Sequence, residues 1–74
     1  MNLTVYIFNN TKFDLDTNPD LTLNDYKDIM AQNTNFSIDS YVIKHTKYGT
    51  LNWSTKISTL ESVPTIYLVH VIRG

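Results

Sequence analysis

The sequence predicts an α+β fold in which a mixed sheet of four to five strands packs on one α-helix. Three stretches carry this prediction. Residues 1–8 alternate with the period of a half-buried strand, residues 23–30 place apolar side chains at helical spacing, and residues 65–72 are mostly β-branched or aromatic. One helix among several strands favours a sheet wrapped around it, with antiparallel hairpin neighbours and a parallel pair across the helical connection.

The first hairpin follows from the alternation at the start of the chain. In residues 1–8 the odd-numbered side chains should face the core. The asparagines at residues 9–10 tolerate the positive φ of a tight turn, so the chain should return as a second strand over residues 13–17. A one-residue slip would turn every apolar side chain outward, so the alternation also sets the register.

The helix is predicted to begin after Thr22, a good N-cap residue, and to end in the polar run at residues 32–35. A break at residues 18–20 separates it from the hairpin. One apolar stripe should pack against the hairpin, formed by Leu23, Tyr26, Ile29 and Met30. We expect Phe36 and Ile38 to seal the core beneath the connecting loop.

The second half of the chain is predicted to contain more strand than helix. Residues 41–44 have strand character, and Gly49 indicates a turn. Residues 50–64 are predicted to form a loop, with a short strand near Leu51 and a helical turn near Ser58. The last strand follows this loop.

Length and composition restrict the class of protein. A chain of 74 residues predicts one domain, and a formal net charge of -1 gives no electrostatic basis for binding nucleic acid or an anionic membrane. The absence of cysteine excludes disulfides, thiolate metal sites and cysteine nucleophiles. Met1 leads directly into the first predicted strand, so we expect neither a signal peptide nor a transmembrane helix. We expect the chain to be a monomer in the cytoplasm.

No residue pattern indicates enzymatic chemistry, so we expect no catalytic residue, metal or cofactor. His45 and His70 are suited to proton transfer near neutral pH, but neither belongs to a Ser/His/Asp or metal-ligand pattern. A structural role explains them better, with His70 partly buried on the same side of its strand as Leu68. The aspartates within residues 14–20 lack the glycine and terminal glutamate of a calcium loop.

Positions spread along the chain, rather than one short motif, carry a resemblance to a known family. The ungapped positions are Met1, Leu3, Val5, Leu15, Pro19, Thr22, Lys27, Phe36 and Asp39, with apolar substitutes at Leu23, Tyr26 and Met30. After a small deletion, residues 65–69 and the pair Arg73 and Gly74 complete the set. In these positions the chain resembles ubiquitin, and the resemblance implies a ubiquitin-like β-grasp domain over residues 1–74.

The resemblance also implies a protein modifier. An E1-like adenylating enzyme would use ATP to activate the Gly74 carboxylate, an E2-like conjugating enzyme would carry it as a thioester, and an isopeptide bond would join it to an amine of a target protein. A deconjugating peptidase would reverse the reaction. Residues 71–74 would form a flexible tail in which Val71, Ile72 and Arg73 are recognised by these enzymes.

The chain departs from ubiquitin at its end. One glycine follows Arg73 where ubiquitin has two, and Val71 stands where ubiquitin has an arginine that helps its activating enzyme choose it. Two alternatives to conjugation therefore stay open. One is a noncovalent ubiquitin-like interaction module, and the other is a sulfur carrier whose adenylated glycine becomes a thiocarboxylate.

The resemblance places Phe8, Ile43 and Val69 on the three positions of ubiquitin's main recognition patch, and strand alternation adds Tyr67 to the same face. We expect Ile43 to point outward on the third strand. An exposed apolar cluster of this kind indicates a protein-binding site. The alternative is that the loop around Trp53 covers part of it.

Lys27 and Lys47 are candidate acceptors for chain formation. The first coincides with an acceptor lysine of ubiquitin, and the second lies close to another. A surface or ion-pair role for Lys27, which lies near Asp25 and Asp28, is the stronger interpretation.

Overall fold

A computed structural model describes residues 1–8 and 11–71 of the chain. The strands are β1 (Asn2–Ile7), β2 (Thr11–Asp16), β3 (Tyr41–His45), β4 (Gly49–Leu51) and β5 (Thr65–His70), and the helix is α1 (Lys27–Gln32). Short 3₁₀ turns span Leu23–Tyr26, Ile38–Ser40 and Ile57–Leu60. The predicted α+β class is confirmed, including the short strand at Leu51 and the helical turn at Ser58.

All five strands form one sheet in the order β2-β1-β5-β3-β4. The β1–β5 pair is parallel, and the β1–β2, β3–β5 and β3–β4 pairs are antiparallel. The sheet is therefore mixed, as predicted. The first and last strands lie side by side near its centre, so the chain closes the sheet through pairing between its two ends.

One face of the sheet packs on the helical segments. The alternation predicted for β1 is confirmed, because the odd-numbered side chains of this strand are buried. The core consists of Leu3, Val5, Ile7, Leu15, Leu23, Met30, Tyr41, Ile43, Ile57, Leu60, Ile66 and Leu68. Because every strand except β4 contributes to it, burial fixes the register of those strands.

The predicted helix begins as a 3₁₀ turn and becomes α-helical only at Lys27. The Asp25 carboxylate accepts hydrogen bonds from the Thr22 amide and hydroxyl, at 2.8 and 3.0 Å. The first amide of the 3₁₀ turn is bound by the loop that precedes Ile57, because the Leu23 N–H donates to the Thr55 carbonyl at 3.0 Å. The helical segment and the loop thus complete each other's backbone hydrogen bonds.

Two predictions about the core side chains are wrong. Ile29 is 43% exposed, because it lies about 100° around the helix from the fully buried Met30. Phe36 is also exposed and stacks on the His70 ring at 4.2 Å between centroids, whereas Ile38 packs against the core as predicted. His70 is half-buried, which agrees with the structural role predicted for it.

The chain beyond β5 is described only as far as Val71. The Val71 amide donates to the Ser40 carbonyl at 2.8 Å, so the first residue of the predicted tail is held beside the start of β3. Predictions for residues 72–74 lie outside the described residues. Residues 1–8 and 11–71 contain no helix with the length and hydrophobicity of a transmembrane span.

Candidate protein-binding face

The sheet face opposite the core, here called the outer face, is arranged in rows that run across the strands. Strand register aligns one residue from each strand, and adjacent strands lie about 4.8 Å apart. The middle row, here called the Tyr–Lys row, contains Lys12, Tyr6, Tyr67, Lys44 and Thr50 from β2, β1, β5, β3 and β4. It spans the full width of the sheet.

Two tyrosines form the centre of the Tyr–Lys row. The rings of Tyr6 and Tyr67 stack at 5.2 Å between centroids with their planes 14° apart. The Lys12 ammonium lies 5.9 Å from the centroid of the Tyr6 ring. On the other side, the Lys44 ammonium donates a hydrogen bond to the Thr50 hydroxyl. Strand alternation predicted that Tyr67 lies on this face, but the row as a whole could not be predicted, because its members come from five separate strands.

A second row, here called the apolar row, lies beside it and consists of Phe8, Val69 and Val42. Phe8 is 66% exposed, and its amide donates to the Leu68 carbonyl at 3.1 Å, which holds its backbone against β5. Val69 pairs with Val42 in the antiparallel register, and both are half-buried. The predicted site residues Phe8, Tyr67 and Val69 are thus brought together on one face.

The prediction that Ile43 belongs to this face is wrong. Ile43 is 1% exposed and pairs with the buried Leu68, so it points into the core. Its neighbours Val42 and Lys44 point outward instead. Because residues 41–43 are all apolar, the sequence pattern allows either Val42 or Ile43 to face the core. In the structure Tyr41 and His45 are buried on the core side, so Ile43 faces the core with them.

The loop around Trp53 does not cover the outer face. The Trp53 carbonyl accepts a hydrogen bond from Asn24 at 2.8 Å, and its side chain packs against the core from the helical side. Its ring also lies 5.2 Å from the Lys27 ammonium. The apolar and Tyr–Lys rows are therefore free of this loop.

The two candidate acceptor lysines have different surroundings. The Lys27 ammonium lies 2.9 Å from the Asp39 carboxylate, and its side chain is 28% exposed. Lys27 thus forms an ion pair as predicted, but its partner is Asp39 and not the nearby Asp25 or Asp28. Lys47 lies on the exposed turn after β3, with its ammonium 5.3 Å from the Tyr48 ring centroid. Lys47 is therefore the more accessible of the two candidate acceptors.

His45 is a structural residue. It is 4% exposed, and its Nδ1 accepts from the backbone amides of Lys47 and Tyr48 at 3.1 and 3.3 Å. The proton therefore resides on Nε2, which donates to the Val63 carbonyl at 2.8 Å. The imidazole connects the turn after β3 to the segment before β5.

A groove of about 450 Å³ continues from the apolar row at the start of β3. Its lining residues are Ser37, Asp39, Ser40, Tyr41, Val42 and Val71. Val42 belongs to both the groove and the apolar row. Over the described ranges of the chain, no cluster of histidine and acidic side chains has a geometry that could hold a metal ion.

The fold is shared with solved ubiquitin-like structures. The UBL domain of Plasmodium falciparum Dsk2 has a TM-score of 0.74 and 25% identity, over 95% of this chain and 96% of that chain. A computationally designed protein based on human erythrocytic ubiquitin has a TM-score of 0.73 at 19% identity, over 99% and 94%. The ubl5 domain from the polyubiquitin locus of T. thermophila has a TM-score of 0.69 at 16% identity, over 92% and 89%.

The sequence matches no protein-family model and no curated protein. Similarity to the solved structures extends over nearly all of this chain and of each neighbour. These structures establish the type of fold.

Proposed function

We propose that this chain, whose fold is the ubiquitin-like β-grasp, is a protein-interaction domain that docks partner proteins on its outer face. The observation that carries the proposal is the exposure of Phe8 beside Val42 and Val69, next to two stacked tyrosines. Exposed aromatic and aliphatic side chains grouped on one face are typical of protein-binding surfaces.

The chemistry of the face suits a protein partner. Phe8 offers an apolar contact, and Tyr6 and Tyr67 combine large ring surfaces with hydroxyl groups that form hydrogen bonds. The face is built on strands whose register is fixed by the core, so binding requires little ordering of the backbone. One solved neighbour is the UBL domain of Plasmodium falciparum Dsk2, and this likeness supports a domain role here.

Photo-crosslinking tests this proposal in the cells of the source organism, with the cytoplasm as the expected compartment. A benzophenone amino acid replaces Phe8 in the test chain. In a matched control chain it replaces Ile29, which is also exposed but lies on the helical side. We expect discrete adducts from the Phe8 position. An excess of the unlabelled chain should compete for the partner and remove these adducts, whereas an excess of the Tyr67→Asp variant should not. Adducts of the same mass and yield from both positions would refute docking on the outer face.

Conjugation through Gly74 is a second candidate. The central strand β5 leads toward the end of the sequence, where Arg73 and Gly74 resemble the ubiquitin ending. In the proposed reaction the Gly74 carboxylate attacks the α-phosphate of ATP and releases pyrophosphate. An enzyme thiolate then displaces AMP to form a thioester, and a lysine amine displaces the thiol to form the isopeptide bond.

The two candidates respond differently to one deletion. If the chain is a modifier, incubation with an adenylating enzyme encoded beside it and ATP yields a thiol-sensitive adduct, and deletion of Gly74 abolishes that adduct. Deletion leaves the outer-face crosslink unchanged if the chain acts only by docking. A sulfur carrier would behave differently. Incubation with a sulfur donor would replace one oxygen of the Gly74 carboxylate by sulfur, and the mass of the chain would increase accordingly.

A further inference from the structure

The Tyr–Lys row carries two positive charges without a carboxylate in the row. Among residues 1–8 and 11–71, the ion pairs involve neither Lys12 nor Lys44. The closest acidic residue on the outer face is Asp14, one row away, and its carboxylate accepts a hydrogen bond from the Thr4 hydroxyl at 2.9 Å. The row is therefore locally cationic on a chain whose formal net charge is -1.

The tyrosine stack restricts what the row can bind. One face of each ring is covered by the other ring, and Lys12 lies over the Tyr6 ring. Each tyrosine is 37% exposed, which leaves ring edges and hydroxyl groups for contact. Bases of single-stranded nucleic acid need free aromatic faces for stacking. The geometry favours groups that accept hydrogen bonds, and an ionised acceptor such as a carboxylate forms a stronger, charge-assisted hydrogen bond with lysine than a neutral acceptor does.

We propose that the partner of the outer face presents an acidic peptide segment whose carboxylates bind Lys12 and Lys44 while an apolar side chain contacts the apolar row. Strands β2 and β3 are three strand spacings apart, so the backbones of Lys12 and Lys44 lie about 14 Å from each other, and the two carboxylates should span a similar distance. The hydroxyl groups of Tyr6 and Tyr67 lie between them and donate to the same segment. This inference rests on the proposed docking function and adds the chemistry of the partner.

Synthetic peptides provide the probe. The test peptide carries two glutamates about four residues apart, because an extended chain rises about 3.3 Å per residue, with a leucine beside them. In the comparison peptides both glutamates are replaced by glutamine or by lysine. Titration into the ¹⁵N-labelled chain gives the affinity and, from the amides that shift, the binding surface.

Three charge-reversal variants of the chain complete the design. Lys12→Glu and Lys44→Glu remove the proposed contacts, and Lys56→Glu is the matched control, since Lys56 is exposed and lies in the loop that packs on the helical segment. All three change the net charge equally. Retention of the amide spectrum of the unbound chain establishes that each variant is folded.

We expect the glutamate peptide to shift the amides of Phe8, Tyr67 and Lys44 and to bind at least about tenfold more tightly than the glutamine peptide, with an affinity that falls as salt rises. Lys12→Glu and Lys44→Glu each weaken this binding and strengthen binding of the lysine peptide. The Lys56→Glu variant behaves as the unmodified chain.

Equal binding of the glutamate and glutamine peptides to the outer face would overturn the acidic partner and leave the docking function standing. Absence of binding at a millimolar concentration of the glutamate peptide would also overturn the acidic partner. Shifts confined to α1 would contradict both proposals. A short single-stranded oligonucleotide that displaces the glutamate peptide from the Tyr–Lys row and binds more tightly would assign the row to nucleic acid instead.

Discussion

Lys27 and Asp39 form an ion pair that joins the start of α1 to the 3₁₀ turn before β3, with 2.9 Å between Nζ and Oδ1. Trp53 covers the same ammonium from the opposite loop, at 5.2 Å from its ring centroid. The Lys27 side chain thus connects α1 to two other segments. This arrangement explains why Lys27 is less accessible than the other lysine considered as an acceptor.

Replacement of Lys27 by alanine should lower the free energy of unfolding by about 1–2 kcal/mol, because the cation–π contact and the packed aliphatic stem are lost with the charge pair. Asp39 is 76% exposed, so Asp39→Asn should cost less than about 1 kcal/mol. Urea unfolding followed by circular dichroism measures both values. Lys27→Arg is the control that retains the charge. A larger loss for Asp39→Asn than for Lys27→Ala would show that the ion pair dominates.

His45→Ala should destabilise the protein by roughly 2–4 kcal/mol, because it removes a buried ring and leaves two amides and one carbonyl without their partner. Amide exchange at Lys47 and Tyr48 should accelerate. Thr46→Ala, at an exposed position in the same turn, should have little effect. In the unmodified chain, NMR should detect the imidazole proton on Nε2. A proton on Nδ1 would contradict the hydrogen-bond assignment.

Gly49 tests backbone strain separately from packing. Its φ is +73°, and an added Cβ would meet no atom within 4 Å. Gly49→Ala should therefore cost about 1 kcal/mol from conformation alone, and Gly49→Asn less, since asparagine tolerates the left-handed region better. Thermal unfolding of the two variants gives the comparison. Equal stability of Gly49→Ala and the unmodified chain would mean that the turn adopts another conformation in solution.

The orientation of β3 predicts opposite roles for two adjacent residues. Ile43→Ala should reduce stability by about 2–5 kcal/mol, because Ile43 is 1% exposed. Val42→Ala should cost less than about 1 kcal/mol and should weaken partner binding, because Val42 lies on the apolar row. Chemical denaturation and the crosslinking yield at Phe8 separate the two effects. The reverse pattern would restore Ile43 to the outer face.

Sequence reasoning succeeded where local patterns were unambiguous. In β1 the odd-numbered residues could face only the core, and the polar run after α1 ended the helix as expected: Asn33 Nδ2 donates to the Ile29 carbonyl and the Thr34 hydroxyl donates to the Ala31 carbonyl. Such features depend on side chains within one segment. They require no knowledge of which strands are neighbours.

Sequence reasoning failed where tertiary pairing decides. The side of the sheet that Ile43 faces depends on its pairing with Leu68, which is distant in sequence. Phe36 lies outside the core because its ring stacks on His70. The Tyr–Lys row could not be predicted either, because it exists only once the order β2-β1-β5-β3-β4 is known. The acidic-partner hypothesis therefore arises from the structure alone.

The outer face is the proposed docking surface. The most direct measurement is the set of backbone amide shifts in the ¹⁵N-labelled chain on addition of the partner identified by crosslinking at Phe8. Docking on the outer face predicts that the shifts concentrate on Phe8, Tyr67 and Val69 and that the amides around Ile29 stay unchanged. Shifts concentrated on α1, with those three amides unmoved, would contradict it.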